Sequence, residues 1–112
     1  SDWRLLTSVH RAALDPYCSR VLDECAETIR TPDTSPHDRY LRLYHLVREG
    51  DQNIAVAFND LRRSTATQRL AAMILLGVVT DEELNSFSLA TRNSAVALAD
   101  ISRPRKTGKA RR

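Results

Sequence analysis

Two cysteines and three histidines are the side chains of this sequence best equipped for nucleophilic, acid–base or metal chemistry, and their spacing works against each use. Cys18 and Cys25 stand seven residues apart. On one helix that is a rise of about 10.5 Å, beyond the roughly 7 Å over which two Cα atoms can be bridged by a disulfide. They are expected to be free thiols on one helix face among Val21, Leu22 and Ile29, where apolar surroundings disfavour the thiolate and leave a poor nucleophile. His10, His37 and His45 show no metal-ligand spacing with one another or with the cysteines. His45 falls on a polar stripe with Asp38, Arg42 and Glu49, and His10 at the edge of an apolar face; both read as structural imidazoles. Gly50, Gly77 and Gly108 are too far apart to form a phosphate-cradling loop. No catalytic residue, no cofactor and no metal site is therefore expected.

Other patterns point outward, to partners. Thr31-Pro32, Ser35-Pro36 and Arg62-Arg63-Ser64 have the form of kinase sites, and a phosphate would add about −1.5 to −2 charges near a helix start. Each also has a local structural explanation as a loop or cap. Residues 75–84, LLGVVTDEEL, follow an apolar run and a glycine with a fresh helix start, the geometry of the turn in a DNA-reading helix-turn-helix. A recognition helix sets its N-terminal residues against bases and phosphates. Here that end would be Asp81-Glu82-Glu83, which a polyanion repels. The segment reads instead as a helix stop at Gly77 and a capping box from Thr80 to Glu83.

Positive charge collects at the other end of the sequence. Arg103, Arg105, Lys106, Lys109, Arg111 and Arg112 share the last ten residues with no acidic group. Taking those six from the seventeen Lys and Arg of the whole chain leaves eleven against fourteen Asp and Glu, a net −3 for residues 1–102. The stretch carries Pro104 and Gly108 and no apolar anchor, so it is expected to be disordered. It would suit electrostatic contact with nucleic acid, nuclear import, or a linker to further sequence. Lacking an aromatic residue for base stacking, any nucleic-acid contact would be largely indifferent to sequence. Arg62 and Arg63 are candidates to extend that surface.

Helices must position these groups. Asp2 suits the cap of a first helix carrying Leu5, Leu6, Val9, Ala12 and Ala13, which Asp15-Pro16 is expected to end. A second helix from Pro16 would turn Cys18, Val21, Leu22, Cys25 and Ile29 inward. After a loop, Ser35-Pro36-His37-Asp38 opens a third helix, with Gly50 at its C-terminus and Asp51 capping the next, whose inner face is Ile54, Ala57, Phe58 and Leu61. Ser64 is expected to start a helix that is apolar on every side from Leu70 to Leu76 and so central. After Thr80, a short helix anchored by Leu84 and Phe87 breaks at Ser86 or Ser88. A last helix turns Leu89, Val96, Ala97 and Ile101 inward. No strand alternation and no internal repeat is evident.

The 112 residues, 42% apolar and 28% charged, suit one domain with its own core. The fold class expected is all-α: an irregular or orthogonal bundle of about six helices over residues 1–102, with a disordered basic tail over 103–112. The longest apolar run, Leu70 to Val79, is half of the roughly 20 residues a membrane span needs. With no visible leader and free thiols, the setting expected is intracellular, cytoplasmic, or nuclear in a nucleated cell. The leading function is a non-enzymatic interaction or regulatory domain with a protein partner, since its arginines and Tyr17, Tyr40 and Tyr44 are residue types common at interfaces. A nucleic-acid-binding protein using the tail with Arg62 and Arg63 is the alternative. An enzyme whose site is assembled from distant residues comes third.

Overall fold

The computed structural model describes residues 1–103. Over them the protein is all-α: α1 is Asp2–Arg30, α2 Pro36–Phe58, α3 Ala66–Leu75, α4 Asp81–Asn85 and α5 Leu89–Ser102, with a single 3-10 turn at Arg63–Thr65. Five α-helices among the described residues stand where about six were expected: two expected breaks do not occur, so four of the seven helical segments marked out in the sequence merge into two.

The first is at Pro16, which lies inside α1. Proline removes one amide and crowds the carbonyl four residues back, at a cost of about 3 kcal/mol in a helix interior. Here Ala12 and Pro16 are both exposed, so water reaches the freed carbonyl, while buried Ala13 and Tyr17 hold both sides of the site in the core. The second is at Gly50. It is buried in the middle of α2, and a Cβ on it would lie 3.4 Å from Val21 Cγ1. This glycine lies at the seam with α1 inside a continuous helix rather than ending one, and Asp51 is an exposed mid-helix residue rather than a cap.

The long helices form an antiparallel hairpin. Val21 meets Gly50, the Tyr17 hydroxyl accepts from Asn53 Nδ2 at 3.0 Å, and Arg39 Nη1 donates to the Ile29 carbonyl at 2.8 Å. Ser35 caps α2 as expected, its Oγ accepting from the Asp38 amide at 3.1 Å with Pro36 in the first turn.

At the base of the hairpin α3 packs against α5 and α2. Leu70 and Met73 are 1% and 0% exposed, and Ala57, Ala95 and Ala99 are fully buried, small residues that admit close helix approach. The expected enclosure of Leu70 to Leu76 holds for the first half only; Ile74, Leu75 and Leu76 are half-buried. On α5 the inward residues are Ala95 and Ala99. Leu89 and Ile101, expected inside, are exposed, and so is Ala97, because the close approach of α3 selects the alanine stripe.

Loop chemistry follows local rules. Gly77, at φ 71°, ends α3: its amide donates to the Ile74 carbonyl at 3.0 Å and the Val78 amide to Met73 at 3.2 Å, a pair of bonds that satisfies the last carbonyls of the helix. The Thr80 hydroxyl accepts from the Glu83 amide at 3.0 Å, and Glu83 Oε1 accepts from the Thr80 amide at 2.9 Å. Ser64, expected to cap the helix after Arg63, lies within the 3-10 turn instead. Thr65 Oγ1 organises that turn, accepting from the Arg62 amide at 3.1 Å and donating to the Asp60 carbonyl at 3.0 Å.

Asp2 is also not a cap of its own helix. Ser1 caps α1, and the Asp2 carboxylate instead accepts from the Ser88 amide at 2.9 Å, the Ser88 hydroxyl at 2.6 Å and the Thr91 hydroxyl at the start of α5. Those bonds from the Ser88 and Thr91 side chains, then the Ser88 amide, favour the anion and lower the Asp2 pKa from 3.8 to about 2.

Candidate interaction surface

The outer half of the α1–α2 hairpin extends beyond α3 and has two unlike sides. One side is an open cleft of about 770 Å³ lined mainly by polar and charged residues, among them Glu24 and Glu27 from α1 and Asp38, Arg42 and His45 from α2. Arg20 lies on the same stripe of α1 as Glu24 and Glu27. Its guanidinium donates to the Leu76 carbonyl at 2.7 Å and more weakly to Gly77 at 3.4 Å, so the turn after α3 sits on this side of the hairpin.

The opposite side is apolar. At helical spacing Leu22 and Ile29 fall on the flank of α1 away from Glu27, and Tyr40, Leu43 and Val47 on the flank of α2 away from Asp38 and His45. Tyr44 stands at the outer edge, its ring 5.6 Å from that of His45. Leu22, Ile29, Tyr40, Tyr44 and Val47 are between 48% and 67% exposed. Half-buried Cys18, Val21 and Leu43 and buried Cys25 floor the space between them. Leu22 and Ile29 were expected inside. The seam with α2 runs instead through Tyr17, Val21, Cys25 and Thr28, which leaves those two residues beside it exposed among the described residues. Tyr40 and Tyr44 line the open face, whereas Tyr17 is core.

The groups singled out for chemistry are dispersed. Both cysteines are free, Cys25 buried and Cys18 partly so. His10 Nε2 lies 2.8 Å from the Phe58 carbonyl, which can only accept, so that nitrogen carries the proton; its ring packs 5.4 Å from that of Phe58. His37 and His45 are exposed. Among the described residues no group of three His, Cys, Asp or Glu is placed to hold a metal ion. A small apolar hollow of about 220 Å³ beneath Trp3, Leu6 and Phe87 falls short of the roughly 300 Å³ at which ligand pockets begin.

The candidate basic residues already have partners where they are described. Arg62 pairs with Asp60, a bond that raises the arginine pKa and lowers that of the carboxylate. The Arg63 guanidinium lies over the Trp3 ring, 5.1 Å from its centroid. Arg103, exposed at the end of α5, has Nη2 3.6 Å from Asp100 Oδ1. Arg105, Lys106, Lys109, Arg111 and Arg112 lie outside the described residues, and with them the basic surface they were expected to share with Arg62 and Arg63. The helix-turn-helix likeness ends in α4, which is five residues long and begins with three acidic side chains. No described helix is long and apolar enough to cross a membrane.

Neither a protein-family model, nor a curated protein, nor a solved structure matches this chain.

Proposed function

We propose that this is a non-enzymatic protein-interaction domain whose contact surface is the apolar side of the α1–α2 hairpin. One observation carries the reading: five large apolar side chains, each about half to two-thirds exposed, gather on one side of a two-helix projection whose other side is polar. Contiguous exposed apolar surface rimmed by polar residues marks interaction sites. Covering the exposed parts of Leu22, Ile29, Tyr40, Tyr44 and Val47 would contribute on the order of 5 kcal/mol. The polar cleft and the dispersed histidines and cysteines offer no comparable assembly for catalysis.

A second contact is proposed for the tail on its charge alone. Six basic groups without an acidic one would attach it electrostatically to nucleic acid, apart from the hairpin.

A photo-reactive amino acid at Tyr44 tests the main reading against the same group at Glu27, in the cells that make the protein. The Tyr44 position is expected to yield a discrete protein adduct that Leu22→Glu abolishes, and Glu27 none. Equal adducts at both positions, or none at Tyr44, would overturn it.

A further inference from the structure

Resting on that reading, we infer that the occupant of the apolar face is a second copy of this chain, stacked face to face about a two-fold axis parallel to the hairpin, so that α1 of each copy lies along α2 of the other. The contribution of a single such face does no more than offset the cost of association, so a partner that brings a matching apolar face is favoured. A second copy brings that face by symmetry. The turn after α3 does not obstruct it, since Arg20 holds that turn on the cleft side of the hairpin. The paired stretch from Asp15 to Arg30 is roughly 24 Å long and two helices are roughly 20 Å wide, giving on the order of 500 Å² per partner before side-chain relief, below the roughly 800 Å² per partner of a standard interface and at the total of about 1,000 Å² that a specific one has to clear.

Register decides between the possible two-fold axes. Val21 level with Gly50 and Tyr17 level with Asn53 fix which residues of α1 and α2 share a height along the hairpin. An axis parallel to the helices preserves those heights. Within about one helical turn, Leu22 then meets the partner's Val47, Ile29 meets the partner's Tyr40, and Ala26 leaves room for the partner's Tyr44. At the rim Asp23 stands level with the partner's Arg48, and the symmetry makes every contact twice. An axis across the helices would instead lay α1 on α1 and α2 on α2, taking Asp23 away from Arg48 and setting the two α1 rims, each with Asp15 and Asp23 against Arg30, along each other. Like charge facing like disfavours that alternative.

Sedimentation equilibrium on the full chain from about 1 to 100 µM, at physiological salt, tests the inference. The expected mass is that of two copies. Leu22→Glu and Tyr44→Glu, at positions exposed in the single chain, should each leave the helical circular dichroism intact and raise the dimer dissociation constant by more than about a hundredfold, since each would bury an unpaired charge. Asp23→Arg alone and Arg48→Asp alone should each weaken the dimer about three- to tenfold, and the two together should restore it. A single-copy mass throughout, with a Tyr44 photo-adduct to a different protein, overturns the second copy and leaves the interaction reading standing. A single-copy mass with no adduct overturns both. A dimer indifferent to Leu22→Glu and Tyr44→Glu uses another face, and failure of the paired charge exchange to restore association overturns the α1-on-α2 arrangement.

Discussion

Gly50 and Gly77 should respond to the same substitution with opposite signs. Gly50 sits mid-helix, and an alanine Cβ would meet Val21 Cγ1 at 3.4 Å and Cγ2 at 3.5 Å, ordinary van der Waals distances. Gly50→Ala removes chain freedom from the unfolded state without strain, so it should stabilise by about 0.5–1 kcal/mol. For a domain of this size 1 kcal/mol corresponds to about 4–8 °C in Tm. Gly77 has φ 71°, where a Cβ crowds the following carbonyl; Gly77→Ala should cost about 1–2 kcal/mol. Urea unfolding followed by circular dichroism and by fluorescence of the single tryptophan, Trp3, at one fixed protein concentration would read both. If Gly50→Ala destabilised by 1 kcal/mol or more, the continuous α2 and its approach to Val21 would be refuted, and Gly50 would behave as a helix terminus.

The other predictions concern the core, the chain start, the thiols and the tail. Met73→Ala, at a fully buried site, should cost about 2–5 kcal/mol, whereas Leu22→Ala in the dissociated chain should stay within about 0.5 kcal/mol. Because the Asp2 pKa is lowered on folding to about 2, its contribution is complete above the unfolded value of 3.8 and is lost as pH falls to about 2. Asp2→Asn should therefore lower stability at neutral pH and flatten its decline between those values; an unchanged acid limb in urea titrations would contradict the bonds to Ser88 and Thr91. A thiol reagent should label Cys18 before Cys25 under native conditions and both together in denaturant, read by mass spectrometry. If the tail binds duplex DNA, the slope of log affinity against log salt should be near −5 and deletion of residues 103–112 should abolish binding; sequence-selective binding by the truncated chain would refute a tail contact.

Local chemistry was mostly legible in the sequence, and packing only in part: Leu6, Val9, Cys25, Phe58 and Leu70 are buried as expected, while Ser64 does not cap. The caps at Ser35 and Thr80, the stop at Gly77 and the break between Ser86 and Ser88 depend on residues within one turn of each other, and all four occur. Pro16 and Gly50 also carry local signals, for a break and a stop, but Tyr17 in the core and Val21 across the seam override them. Helical periodicity identified Leu22, Ile29 and Ile101 as apolar positions without saying what would cover them, and nothing in the described fold does. The candidate surface had a visible trace: Tyr40, Leu41, Leu43, Tyr44 and Val47 spread over a wider arc than one helix seam requires. Asp2 bonding to Ser88 was not legible, because it joins residues at opposite ends of the described chain.

Oxidative footprinting of the protein in intact cells, compared with the purified chain diluted to nanomolar concentration, tests the interaction surface most directly. Tyr40, Tyr44 and Leu22 should be protected in the cell and reactive on dilution, while His45 on the cleft side should react similarly in both. Equal oxidation of Tyr40 and Tyr44 in the two conditions, with His45 unchanged, would contradict the assignment of this face to a protein partner.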